Sequence, residues 1–88
     1  MCRSIHQLHN VEPPATGEEA RAAALQYVRK VAGTTRPSRR NQDAFDRAVE
    51  AVAAATEELL GSLVTAAPPR EREVLAARAR ERAARRYA

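Results

Sequence analysis

The sequence predicts a small all-α protein, a three-helix bundle with an irregular N-terminal segment. Three observations predict it. Apolar residues recur at helical spacing in three successive stretches. No stretch alternates apolar and polar residues as a half-buried strand does. Two proline pairs, Pro13-Pro14 and Pro68-Pro69, stand where the first helix must wait and the second must end. Eighty-eight residues suit a single domain (1–88). There is no Trp, and much of the 44% hydrophobic content is alanine, so one modest core fits and a deep substrate pocket does not.

Residues 1–15 read as a strap closed by Pro13-Pro14. Thr16-Gly17-Glu18-Glu19 is a capping-box pattern, in which Thr16 bonds the Glu19 amide and Glu19 bonds back. Behind it Ala20, Ala23, Ala24, Tyr27, Val28 and Val31 form one apolar stripe, and Gly33 suits a left-handed helix end. The first helix is therefore expected over 17–32. The second is expected over 41–65, capped by Ser38 or Asn41. Its apolar band, from Ala44 and Phe45 to Leu63 and Val64, is wide enough to serve two neighbours, as the centre of a bundle must. Gly61 weakens its last turn. The third helix is expected over 70–87 with Pro69 at its start. Its packing stripe (Arg72, Ala76, Ala79, Ala83 and Tyr87) is mostly alanine, so it is the least firmly docked element.

Charge is unevenly placed. Residues 1–69 balance, and the whole net charge of +4 lies in 70–88, where seven arginines face three glutamates. Every base except Lys30 is arginine, which together with the alanine content reads as a GC-rich coding background as well as a possible anion-binding surface. A single cysteine excludes an internal disulfide and suits a reducing compartment, so the expected location is the cytoplasm. No stretch approaches the roughly 20 apolar residues of a membrane span, and no membrane partner is expected.

Three groups of residues could carry chemistry. Arg29, Lys30, Arg36, Arg39 and Arg40, with Ser38 and the start of the second helix, form a basic turn able to cradle phosphates; the plainer alternative is a solvated loop offsetting Asp43 and Asp46. Arg78, Arg82 and Arg85 lie along one face of the third helix, where they could follow a nucleic-acid backbone or simply be solvated. Loss of Met1 would leave the Cys2 thiol beside a free α-amine, and Cys2, His6 and His9 have a spacing that could hold a transition metal on a helical turn. Against that, three residues in an irregular segment are a weak metal signal. No nucleophile and base stand at a diagnostic spacing, and no glycine-rich phosphate loop occurs, so an enzyme is not expected.

Several blocks, in order, carry a family resemblance. They are Met1-Cys2-Arg3 with Ile5, Glu12 to Thr16, Gln26 to Val31, Gly33, Pro37-Ser38, Asn41, Phe45, Ala48-Val49 and Ala67-Pro68-Pro69. The chain thereby resembles a bacterial family of small proteins, domain-of-unknown-function family 2277, over nearly its whole length. Ser4 and Ala32 depart from the pattern, where asparagine and serine are expected, and His6 and His9 fall outside it. The resemblance implies a small helical cytosolic protein and no particular activity. The reading drawn from the residues is a non-enzymatic protein-interaction module without a cofactor, its working surface formed by the strap and the basic turn. Nucleic-acid binding through the basic turn and the third helix is the alternative, and a thiol or metal site at Cys2 a second one. Neither the partner nor the oligomeric state can be read from the residues.

Overall fold

Thr16 starts the first helix through both halves of a capping box. Its hydroxyl accepts the Glu19 amide at 3.3 Å, and Glu19 Oε1 accepts the Thr16 amide at 3.1 Å. In the computed structural model, which describes residues 3–87 and the side chains of 3–86, this helix, α1, runs Gly17–Ala32. Gly33 ends it with φ 74°, a left-handed angle that costs glycine least. The amides of Gly33 and Thr34 then close on the Arg29 carbonyl at 3.0 and 3.2 Å.

A single 3-10 turn, Arg39–Asn41, leads into α2 (Gln42–Ser62). Neither Ser38 nor Asn41 caps α2 with its side chain, contrary to the expectation. The intervening turn puts the Ser38 carbonyl, not its hydroxyl, against the Asn41 amide at 2.9 Å. Beyond Ser62 the chain leaves the helix at Leu63 (φ −70°, ψ 136°) and runs extended toward the proline pair. Gly17 at the start of α1 lies against Glu57 near the end of α2, while Val31 and Ala44 line one hollow at the other end, so the two helices are antiparallel. Ala24, Val28, Phe45, Val49 and Ala53 are buried between them. Alanine at two of these five positions, Ala24 and Ala53, lets the helix axes approach closely, at the cost of a thin core.

The strap is ordered by what it covers. Leu8 and Val11 are buried, and the Ser4 amide donates to Gln26 Oε1 at 2.7 Å. Val11–Glu12 (β1) pairs in parallel with Arg70–Glu71 (β2), Val11 opposite Arg70 and Glu12 opposite Glu71. The Glu12–Pro13 peptide is cis. Asn10, just before the ladder, has φ 53°. Its carbonyl accepts the Arg70 amide at 2.9 Å, and its Nδ2 donates to the Ala67 and Pro68 carbonyls, both at 3.2 Å. Asparagine tolerates the left-handed region better than other side-chain-bearing residues, and here the same side chain holds the connector after α2.

The protein is thus mostly helical, with three helices, and a short parallel ladder is added to the all-α expectation. Two residues per strand are too few for any alternation to show in the sequence. The bundle itself is not formed. The ladder draws residues 70–71 alongside the strap, so α3 (Arg72–Tyr87) starts there and does not lie along the α1–α2 seam. Before the terminal Tyr87, only Val74 and Leu75 give α3 sizeable apolar side chains, too little to pull it onto the hairpin. The radius of gyration, 15.4 Å, exceeds the about 12 Å of a compact chain of this length, and the extents are 44 × 37 × 15 Å. The molecule is a plate.

Asn10→Ala should lower stability by about 1–2 kcal/mol, since it removes two side-chain donors and places alanine in the left-handed region. Denaturant unfolding measures this, and Asn10→Gly, which relieves only the backbone term, should recover part of the loss. Equal stability of wild type and Asn10→Ala would show that the clasp contributes nothing.

Candidate functional site

Two surfaces emerge from this plate, one basic and one apolar. The basic one is a cleft of ≈ 700 Å³ between the strap and α3. Arg3 enters from the strap, Arg70 from β2, and Arg78 and Arg82 from successive turns of α3; Leu75 and Ala79 form the floor. Its lining residues include no carboxylate. Arg72 also borders the cleft but is committed elsewhere. Its Nε donates to the Pro13 carbonyl at 2.8 Å, and its two Nη groups form a fork on Glu19, Nη2 to Oε1 at 2.9 Å and Nη1 to Oε2. Glu19 thereby serves two structures, the capping box of α1 and the start of α3.

The apolar surface runs along one face of the hairpin as two adjoining hollows of ≈ 390 and ≈ 560 Å³ that share Tyr27 and Val52. Leu59, Leu60 and Leu63 line the end nearest the strap, and Val31, Ala44 and Phe45 the end nearest the basic turn. Tyr27 is 50% exposed, Val31 70% and Leu59 56%. This is the half of the wide α2 band that a third packed helix was expected to cover.

The residues singled out from sequence fall in different places. Arg29, Lys30, Arg36, Ser38, Arg39 and Arg40 are all exposed around the turn after α1. The loop is braced internally: Arg29 Nε donates to the Thr35 carbonyl at 3.2 Å and Thr34 Oγ1 to the Arg36 carbonyl at 2.8 Å. Lys30 stands eleven residues along α1 from Glu19, roughly 16 Å, so this turn and the α3 arginines form no common patch. Arg78 and Arg82 enter the cleft, whereas Arg85 is exposed and does not line it. Cys2 lies outside the described residues. Among the described residues no group of three or more metal-ligating side chains occurs; His6 Nε2 stands 4.0 Å from Glu19 Oε2, and His9 lines the apolar hollow. No helix among them is long and apolar enough to cross a membrane.

Arg70 and Asn10 carry no signal in the sequence, whereas Arg3 stands there only within a family block and Arg72 only in the expected packing stripe of the third helix. The capping-box pattern located Glu19, but nothing in the spacing announces a partner 53 residues away.

The guanidinium of Arg72, followed by the Thr16 amide, holds the Glu19 carboxyl well below its ordinary 4.5, at about 2. A carboxyl with a depressed folded value contributes stability that is complete above its ordinary range and lost as pH falls through the folded value. The attachment of α3 should therefore hold above pH 4.5 and weaken from there down toward pH 2. Thermal midpoints recorded across that range should fall more steeply for wild type than for Glu19→Gln. Parallel curves would remove the fork from the account.

No curated protein and no solved structure matches this chain. A family model does, described as an uncharacterized conserved protein (DUF2277) and aligned with residues 1–78, a span that holds the strap, the hairpin and every cleft arginine except Arg82. The chain belongs to that family.

Proposed function

We propose that this protein is a non-enzymatic interaction module of the cytoplasm whose working surface is the apolar face of the α1–α2 hairpin, and that the face pairs with a second copy of itself. The observation that carries the reading is the uncovered band: Tyr27, Val31, Leu59 and Leu63 stand in solvent on one continuous face. Contiguous apolar surface on a small chain marks an interface, because its exposure to water is unfavourable in proportion to its area.

Charge selects the occupant and its orientation. One end of the hairpin carries Arg29, Lys30, Arg36, Arg39 and Arg40, which outnumber Asp43 and Asp46 beside them; the other carries Glu18, Glu57 and Glu58. Two identical faces can stack parallel or antiparallel about a two-fold axis. Parallel stacking sets five bases against five. Antiparallel stacking sets the basic end of each copy over the acidic end of the other and closes a four-helix core. The basic turn then serves as a steering rim, and no phosphate ligand is assigned to it. The lone cysteine and the absence of a membrane-crossing helix among the described residues support the cytoplasmic part of the reading. The absence of a diagnostic nucleophile–base pair supports the non-enzymatic part.

Sedimentation velocity at tens to hundreds of micromolar should give twice the chain mass of 9.7 kDa. The double variant Leu59→Glu/Leu63→Glu should sediment as a monomer with unchanged helical circular dichroism, since both positions are already exposed. Glu57→Lys/Glu58→Lys should weaken the pair several-fold, an effect that disappears in high salt. A wild-type monomer throughout, or a dimer that both variants leave intact, would overturn the proposal.

A further inference from the structure

We infer that the cleft between the strap and α3 is a binding site for the phosphate backbone of a single-stranded nucleic acid, read without regard to base sequence. The inference does not rest on the pairing of the hairpin faces and involves a different part of the molecule.

The cleft is assembled from three distant parts of the chain. Arg3 comes from the strap, Arg70 from β2, and Arg78 and Arg82 from α3. Among the described residues, these four guanidiniums have no ion pair of the kind that joins Arg21 to Glu50 or Arg72 to Glu19. Glu73 and Glu81 are exposed and stand outside the cleft lining. Four like charges drawn toward one hollow repel one another, and a polyanion relieves that repulsion while releasing its own condensed counterions. Arg72 explains why the charges gather here. Its fork on Glu19 and its bond to Pro13 hold the first turn of α3 against the strap, so Arg78 and Arg82 face Arg3 across the hollow.

The geometry favours a chain of phosphates over one isolated anion. Arg78 and Arg82, four residues apart on α3, are offset by about 6 Å along the helix axis. That step is of the order separating neighbouring phosphates in an extended strand, and Arg3 and Arg70 widen the positive surface beyond two contacts. Guanidinium is the side chain best matched to phosphate oxygens, through paired donors in one plane. The cleft lining includes the His6 imidazole but no Phe, Tyr or Trp ring on which successive bases could stack. Contact is therefore with the backbone, and sequence is not read.

The test uses the full chain and fluorescein-labelled 12-nucleotide strands, dT12, dA12 and a mixed RNA, with anisotropy read at several salt concentrations. The expected result is binding at 50 mM salt, with affinities within a few-fold of one another. The expected log–log salt slope is near −3, since each phosphate contact on a single strand adds about −0.7. Arg78→Gln/Arg82→Gln, which keeps the helix-forming character of both positions, should lower affinity at least tenfold and flatten the slope by about 1.4. Arg39→Gln/Arg40→Gln in the basic turn should change affinity less than two-fold. The monomeric Leu59→Glu/Leu63→Glu protein should bind as wild type does, which separates this site from the hairpin face.

Four outcomes overturn the inference. They are no binding at low salt, unchanged affinity in the α3 variant with retained helicity, a loss confined to the basic-turn variant, or displacement of the strands by inorganic polyphosphate at a lower charge concentration than unlabelled dT12. The last would make the ligand an oligophosphate.

Discussion

The arrangement of this molecule depends on one ionic contact, the fork from Arg72 to Glu19. Glu19 first completes the capping box that starts α1, and that commitment fixes the direction of its carboxylate. The same oxygens then receive both Nη groups of Arg72, while the Arg72 Nε reaches Pro13 on the strap. Strap, α1 and α3 are joined at a single guanidinium. A forked, charge-assisted contact of this kind is directional, so it sets where α3 begins as well as that it is attached. Asn10 supports the same junction from the other side by holding the connector after α2.

This mode of attachment explains the open shape. A helix docked through apolar area is drawn onto the largest apolar face available, which here is the α1–α2 seam. A helix docked through a ladder of two residues and one arginine goes where those donors and acceptors are. Small alanine-rich interfaces reinforce the outcome. They let α1 and α2 approach closely, yet they give α3 little reason to fold back, since Ala76, Ala79 and Ala83 bury little area each. The hairpin consequently keeps an apolar face toward solvent, and α3 presents its arginines to the strap. A single structural choice produces both surfaces.

Local signals were legible to the extent that they concern neighbours in sequence. The Thr16–Glu19 box and the left-handed Gly33 are visible in a few residues each, because capping here uses groups three to five positions apart. The apolar stripes of α1 and α2 likewise identify Ala24, Val28, Phe45 and Val49 as core. The spacing does not show which of two faces of a wide band receives a partner. The alternation test is blind to strands of two residues, so Val11–Glu12 and Arg70–Glu71 passed unnoticed. The same limit applies to the cleft. Arg78 and Arg82 are recognisable as a helical pair, but Arg3 and Arg70 join them only after the chain has closed a loop of nearly the whole protein.

By itself, the sequence determined the helices, the end of α1, the charge excess of the last nineteen residues and the family to which the chain belongs. These follow from propensity, capping and composition, which act within a turn or two of chain. Only the tertiary structure decided that the third helix joins the strap and leaves the hairpin face open. That choice is a competition between a small apolar gain on the seam and a directional set of hydrogen bonds at Arg72, Asn10 and the ladder. Groups that meet across 50 to 60 residues leave no periodic trace in the sequence, because the pairing is fixed by geometry in space and not by spacing along the chain.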